Sequence, residues 1–135
     1  MKKLSAALLL LLGLASAALA QQSVIVPATM ASIPITISTA TTTRLVIGQS
    51  NKSIYVTAVD VIANGTGSIQ FIAGTGATCG TGTVTITGNY ALTTQVGFTK
   101  AAGNGVVWVI PPNLSLCAVT DSGVGMPGSL SYAIF

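Results

Sequence analysis

Turn chemistry interrupts this chain roughly every eight to twelve residues, and no helical period survives between the interruptions. The punctuation is Gly48-Gln49-Ser50-Asn51, Asn64-Gly65-Thr66-Gly67, Gly74-Thr75-Gly76, Gly88-Asn89, Gly103-Asn104-Gly105, Pro111-Pro112, Asp121-Ser122-Gly123 and Met126-Pro127-Gly128. Each of these has residues able to supply a fixed or a positive φ. Between them lie short runs rich in Val, Ile and Thr, at 23–26, 33–38, 43–47, 53–63, 68–73, 83–87, 94–99, 106–110, 115–120 and 129–135. Short β-branched runs at this spacing describe an all-β chain, a sandwich or a barrel. The arrangement expected here is a single β-sandwich of jelly-roll type with about eight core strands.

The last run alternates, with Leu130, Tyr132 and Ile134 on one face and Ser131 and Ala133 on the other, so one face belongs to a core. Val106-Val107-Trp108-Val109-Ile110 is apolar on both faces, which predicts a central strand with Trp108 as a core anchor. An outer-membrane barrel would need strands of about ten residues and aromatic girdles at both interfaces. One tryptophan, three tyrosines and three phenylalanines do not supply them.

Ahead of these runs stands a different kind of segment. Lys2 and Lys3 precede an apolar stretch at 6–14, and Ala18-Leu19-Ala20 forms a small-residue site before Gln21. This order is that of a secretory signal cleaved between Ala20 and Gln21. The apolar stretch is shorter than the roughly 20 residues of a spanning helix, so no integral membrane segment is expected after cleavage. The expected location is periplasmic, extracellular or cell-surface.

Removal of residues 1–20 leaves Arg44, Lys52 and Lys100 against Asp60 and Asp121, a net charge of +1 in place of the +3 of the full chain. Three scattered cations cannot form the basic face that neutralises phosphates, which excludes nucleic acid as a partner. Charged side chains normally make up about a quarter of a soluble domain. With so few, little electrostatic repulsion opposes self-association, and copies of the same chain become the expected partner.

Cys79 and Cys117 are the only two cysteines, and in an exported chain an even pair predicts one disulfide. The chain has no histidine and no glutamate, which rules out Ser-His-Asp and Cys-His catalysis and leaves no plausible metal set. Asp121-Ser122-Gly123 has the Asp-Ser-Gly order of an aspartic-protease loop, but a single copy followed by so short a remainder reads as a turn. Gly65-Thr66-Gly67, Gly74-Thr75-Gly76 and Gly80-Thr81-Gly82 lack the Lys-Ser/Thr ending of a phosphate loop. No enzyme activity and no cofactor are expected.

Residues 21–43 form a charge-free arm and Thr-rich linker ahead of a sandwich domain at 44–135. Its run Ile33, Ile35, Ile37 is either a strand of its own domain or an arm that adds to the sheet of a neighbouring copy.

The stretches Ser53-Ile54-Tyr55-Val56, Gln70-Phe71, Gly74-Thr75-Gly76-Ala77-Thr78-Cys79-Gly80-Thr81-Gly82-Thr83, Ser115-Leu116-Cys117 and Leu130-Ser131-Tyr132 resemble small Gly/Thr-rich β-sandwich domains of phage and prophage structural proteins. The resemblance implies a β-sandwich that packs against copies of itself or touches a cell surface. The expected function is therefore an exported, non-enzymatic structural or adhesive subunit. The alternative is a secreted carbohydrate-binding module, with Tyr55, Tyr90 or Trp108 stacking on sugar rings of a cell-surface glycan.

Overall fold

Alternating side chains in short strands satisfy their backbone groups only by pairing with one another, and the pairing here builds two sheets. The structure is a computed structural model that describes residues 30–103 and 105–135. The segment expected to be a signal, the expected cleavage site at Ala20 and Gln21, and the run at 23–26 lie outside the described residues. Ten strands follow in order: β1 (Ala31–Ile37), β2 (Thr42–Val46), β3 (Ile54–Ile62), β4 (Gly67–Thr75), β5 (Thr81–Thr85), β6 (Tyr90–Leu92), β7 (Gly97–Ala101), β8 (Trp108–Ile110), β9 (Ser115–Thr120) and β10 (Met126–Ile134).

Sheet A runs β1-β10-β3-β7, with β8 also on β3, and sheet B runs β2-β9-β4-β5, with β6 also on β4. Every pairing between these strands is antiparallel. Strands β7 and β8 share one flank of β3, and β5 and β6 share one flank of β4, so four lateral positions per sheet are filled by five strands. The chain crosses from sheet to sheet at six of its nine connections, staying within one sheet only at β4–β5, β5–β6 and β7–β8, and the sandwich is closed by non-local pairs.

Ile35, Ile37, Val46, Ile54, Val56, Val59, Val61, Ile69, Phe71, Leu116, Met126 and Leu130 are buried between the sheets. Phe71 is the largest of them, and its ring meets Trp108 at a centroid distance of 4.9 Å and Phe98 at 6.4 Å. Leu130, Tyr132 and Ile134 all face this core, as the alternation of β10 requires.

Strand β3 does not alternate throughout. Ile54 and Val56 face inward, then Val59 and Val61, a step that leaves one residue over. Tyr132 pairs with Val56 and Ser131 with Ala58, so Thr57 is the extra residue of a β-bulge. The Thr57 hydroxyl donates to the Ser131 carbonyl at 3.2 Å, which satisfies a group the bulge takes out of the ladder.

The structure corrects several expectations. Met126-Pro127-Gly128 is not a turn but the start of β10. Pro127 is tolerated because the β10–β3 ladder begins only at Gly128, so at Pro127 the strand has β1 as its single neighbour. Gly128 is required there, since a Cβ would overlap the Asp60 carbonyl. The run at 106–110 is not central. Only Trp108–Ile110 is strand, on an outer flank of β3, and Val109 is 51% exposed. The truly central, doubly buried strands are β4 and β9. Strand β6 was not expected, being only three residues long.

The arm expected at 21–43 does not stand apart where it is described. β1 pairs along its length with β10 of the same chain, and β2, which spans the expected boundary at Arg44, pairs with β9. Ile33, Ile35 and Ile37 point into their own core, with Ile35 and Ile37 buried.

Candidate interaction surfaces

The outer face of sheet B is sealed by the chain itself. On β4 the outward residue Ile72 is buried, and on β9 so is Cys117. Together with Cys79 they form a second, smaller apolar cluster, against which Val119 packs. The cover is the β4–β5 connection, which folds back so closely that a Cβ at Gly74 would overlap the Cys79 carbonyl. The expected disulfide is present: Cys79 and Cys117 are bonded, with their Cα atoms 6.2 Å apart, and both are fully buried. The Thr83 hydroxyl donates to the Cys79 carbonyl at 2.6 Å, and the Arg44 guanidinium donates to the Gly76 carbonyl at 3.4 Å. A cross-link and two hydrogen bonds thus hold the cover onto the sheet.

Strand β5 continues from this anchored loop, yet all five of its residues are exposed, Val84 by 44%. It carries neither charge nor proline. The lateral strands β1, β2 and β7 carry features that discourage pairing with a further chain, Pro34, Arg44 and Lys100 respectively, while the three-residue β6 and β8 carry none but are shorter than β5.

Sheet A has no comparable cover among the described residues. Tyr55 of β3 lies between Ala133 of β10 and Val109 of β8 on its outer face. Met30, one residue before the Ala31–Tyr132 pair, extends the row on the far side of Ala133. Phe135 stands two residues beyond Ala133 and meets the Tyr55 ring at 5.7 Å. Met30 is 58% exposed and Phe135 42%, whereas the small Ala133 between them is only 2% exposed. The Met30 sulfur reaches 3.6 Å from the Thr57 hydroxyl, two strands away. The result is an apolar row across four strands, bordered by the polar pair Asp60 and Thr99, whose hydroxyl donates to the Asp60 carboxylate at 2.6 Å.

The three aromatic residues proposed as sugar contacts are not brought together. Trp108 and Tyr90 turn toward the core, Trp108 against Phe71 and Tyr90 against Phe98 with centroids 4.1 Å apart. Tyr55 alone faces outward. The apolar row was missed from sequence because its members come from β3, β8, β10 and the residue before β1. The signal that marks it is the outward phase of Tyr55 and Val109 once the Thr57 bulge is known.

Asp121 accepts a hydrogen bond from the Ser68 backbone N–H at 2.7 Å. The Ser68 side chain and backbone hold its carboxyl below the usual aspartate range. The residue closes the β9–β10 turn onto β4, which is the turn role expected for Asp121-Ser122-Gly123. At the same end of the sandwich Asn64 N–H donates to the Gly125 carbonyl and Ala63 N–H to the Val96 carbonyl, so three connections are tied together. Among the described residues, no grouping of three His, Cys, Asp or Glu side chains is placed to hold a metal ion. No helix among them is long and apolar enough to cross a membrane. No protein-family model, curated protein or solved structure matches the chain.

Proposed function

We propose that the chain is an exported, non-enzymatic β-sandwich subunit of jelly-roll type, structural or adhesive, that works by contact with copies of itself or with a cell surface. The strand order β1-β10-β3-β7 over β2-β9-β4-β5 supports the jelly-roll reading, a topology used by capsid and lectin domains alike. That link between fold and role is an analogy. The observation that carries the function is β5: a strand held in place by the disulfide-linked loop, exposed on both faces and bare of charge. Such a strand offers unpaired main-chain groups and unburied side chains to a second copy. Export, with cleavage before Gln21, and the phage-like structural role belong to the same proposal.

Light scattering of the processed protein over a wide concentration range tests it. Mass that rises with concentration and falls back to one chain in Val84→Lys is the expected result. A single chain at every concentration would overturn self-assembly. The carbohydrate-binding alternative retains Tyr55, half-buried on an outer face. A glycan-array signal abolished by Tyr55→Ala would favour it.

A further inference from the structure

The hydrogen-bond phase of sheet B says which main-chain groups β5 offers on its open side. Along an antiparallel ladder, successive residues turn their N–H and C=O groups to opposite neighbours. The Thr120 N–H donates to the Thr41 carbonyl, just ahead of β2. Val119, Cys117 and Ser115 of β9 therefore turn to their β4 partners Gln70, Ile72 and Gly74, which leaves Phe71 and Ala73 of β4 to face β5. The Ile86 N–H accordingly donates to the Phe71 carbonyl at 3.0 Å. Val84, the partner of Ala73, thus directs its main-chain groups to β4. Thr83 and Thr85 direct theirs outward, where no described strand meets them.

Bulges bracket this window. Ala73 pairs with Val84 but Thr75 with Thr81, so β5 holds an extra residue where Gly82 adopts a φ of 60°. On the other side the Ile86 and Thr87 N–H groups both donate to the Phe71 carbonyl, which marks a second bulge. Such irregularities keep an edge from pairing along its whole length. Between them Thr83-Val84-Thr85 stays regular.

On the reading of β5 as a self-contact, we propose that Thr83-Val84-Thr85 pairs antiparallel with the same stretch of a second copy, about a two-fold axis through Val84. The product is a closed dimer in which the two B sheets become continuous. In this register Thr83 lies opposite Thr85 of the second copy, each N–H meeting the other's C=O, and the axis repeats the pair. Moving the axis to Thr83 or to Thr85 leaves the other threonine opposite a residue at or beyond a bulge. Val84 meets Val84 of the second copy as a non-hydrogen-bonded pair, the closer kind, with Cα atoms about 4.5 Å apart. This contact covers a valine that is 44% exposed although its partner Ala73 belongs to the core. No like charges are brought together, because β5 carries none.

Pairing of β5 with β2, the other edge of sheet B, would be heterologous and able to run on into a fibre, and it would meet the charge of Arg44. Two-fold pairing needs no second surface and stops at two chains. The contact is short, well under the roughly 1,200 Å² at which stable interfaces begin, so the dimer is weak and reversible.

Light scattering of protein comprising residues 21–135, with amide hydrogen exchange on the same samples, tests it. Mass is expected to rise with concentration to two chains and level off. The Val84 amide is expected to be protected already in the dilute sample, whereas exchange at Thr83 and Thr85 slows at least threefold as the dimer forms. Val84→Cys is expected to cross-link under mild oxidation at least tenfold faster than Thr81→Cys, and only to two chains. Mass that keeps growing past two chains, or exchange at Thr83 and Thr85 that ignores an observed association, would overturn the two-fold pairing while self-assembly stands. Equal cross-linking of the two cysteine variants would overturn the register. A single chain at every concentration would overturn both the pairing and the self-contact.

Discussion

On the outer face of sheet B, Ile72 and Cys117 are buried beneath a loop of the same chain, whereas on the outer face of sheet A, Val109 and Phe135 stand half in solvent. The two sheets are otherwise alike: each has five strands, two of them short and sharing one flank of a central strand. The difference lies in which connection folds back over its own sheet and is cross-linked to it. The β4–β5 connection, at 76–80, carries the cysteine that ties it over β4 and β9, while no described connection crosses the back of β10 and β3. A covered face contributes stability, and an open apolar face is where a further segment or partner has something to bury.

Removing the cross-link should break the comparison most strongly. Cys79→Ser/Cys117→Ser opens a loop closed across a sequence separation of 38, for which the chain-entropy model gives about 4 kcal/mol. Denaturant melts of wild type with and without reductant should show the same loss, and equal midpoints would mean that the cover does not need its tether. Gly74→Ala drives a methyl into the Cys79 carbonyl and is expected to cost about 3 kcal/mol, near the upper end for overpacking. The loss should shrink in the protein lacking the disulfide, where the loop is able to lift away.

A matched pair of truncations sharpens the contrast between the faces. Ile72→Ala should destabilise by about 2 kcal/mol because its side chain is enclosed. Val109→Ala, in protein beginning at Met30, should stay within about 0.5 kcal/mol, as an exposed position does. Equal effects in thermal melts would show that the two faces are not different in kind.

The smallest effect is expected at Asp121. Its native pKa is lowered by the Ser68 hydrogen bonds, so its contribution is complete above the unfolded-state value and is lost as pH falls toward the lowered native one. Asp121→Asn should therefore be slightly less stable at neutral pH and should lose less on acidification than wild type. Parallel melting curves at pH 7 and pH 3 check the sign, and an identical acid slope in both proteins would remove Asp121 from the account.

Much of the fold was legible because its signals are local. The run at 129–135 alternates in the sequence and does so in β10, and the two cysteines pair as expected. The errors occur where a distant strand decides. Pro127 and Gly128 have turn chemistry, yet β1 and β3 recruit them, since Pro127 needs only one neighbour and Gly128 alone fits against the Asp60 backbone. The apolar run around Trp108 promised a central strand, but β7 and β8 divide a flank of β3, which leaves Val109 outside. Of the candidate site, Tyr55 was visible as an aromatic in a strand. Its neighbours were not, because they are contiguous only after the chain has crossed between sheets.

By itself, then, the amino-acid sequence determined the rhythm of strands and turns, the scarcity of charge and the identity of the cross-linked residues. All of these depend on composition or on neighbours along the chain. Tertiary structure alone decided which alternating face lies inside, where β3 takes its extra residue at Thr57, and that sheet B is covered while the row on sheet A is not. Period-two alternation says which side chains share a face. Whether that face meets a core, a loop or solvent depends on pairing between residues far apart in sequence.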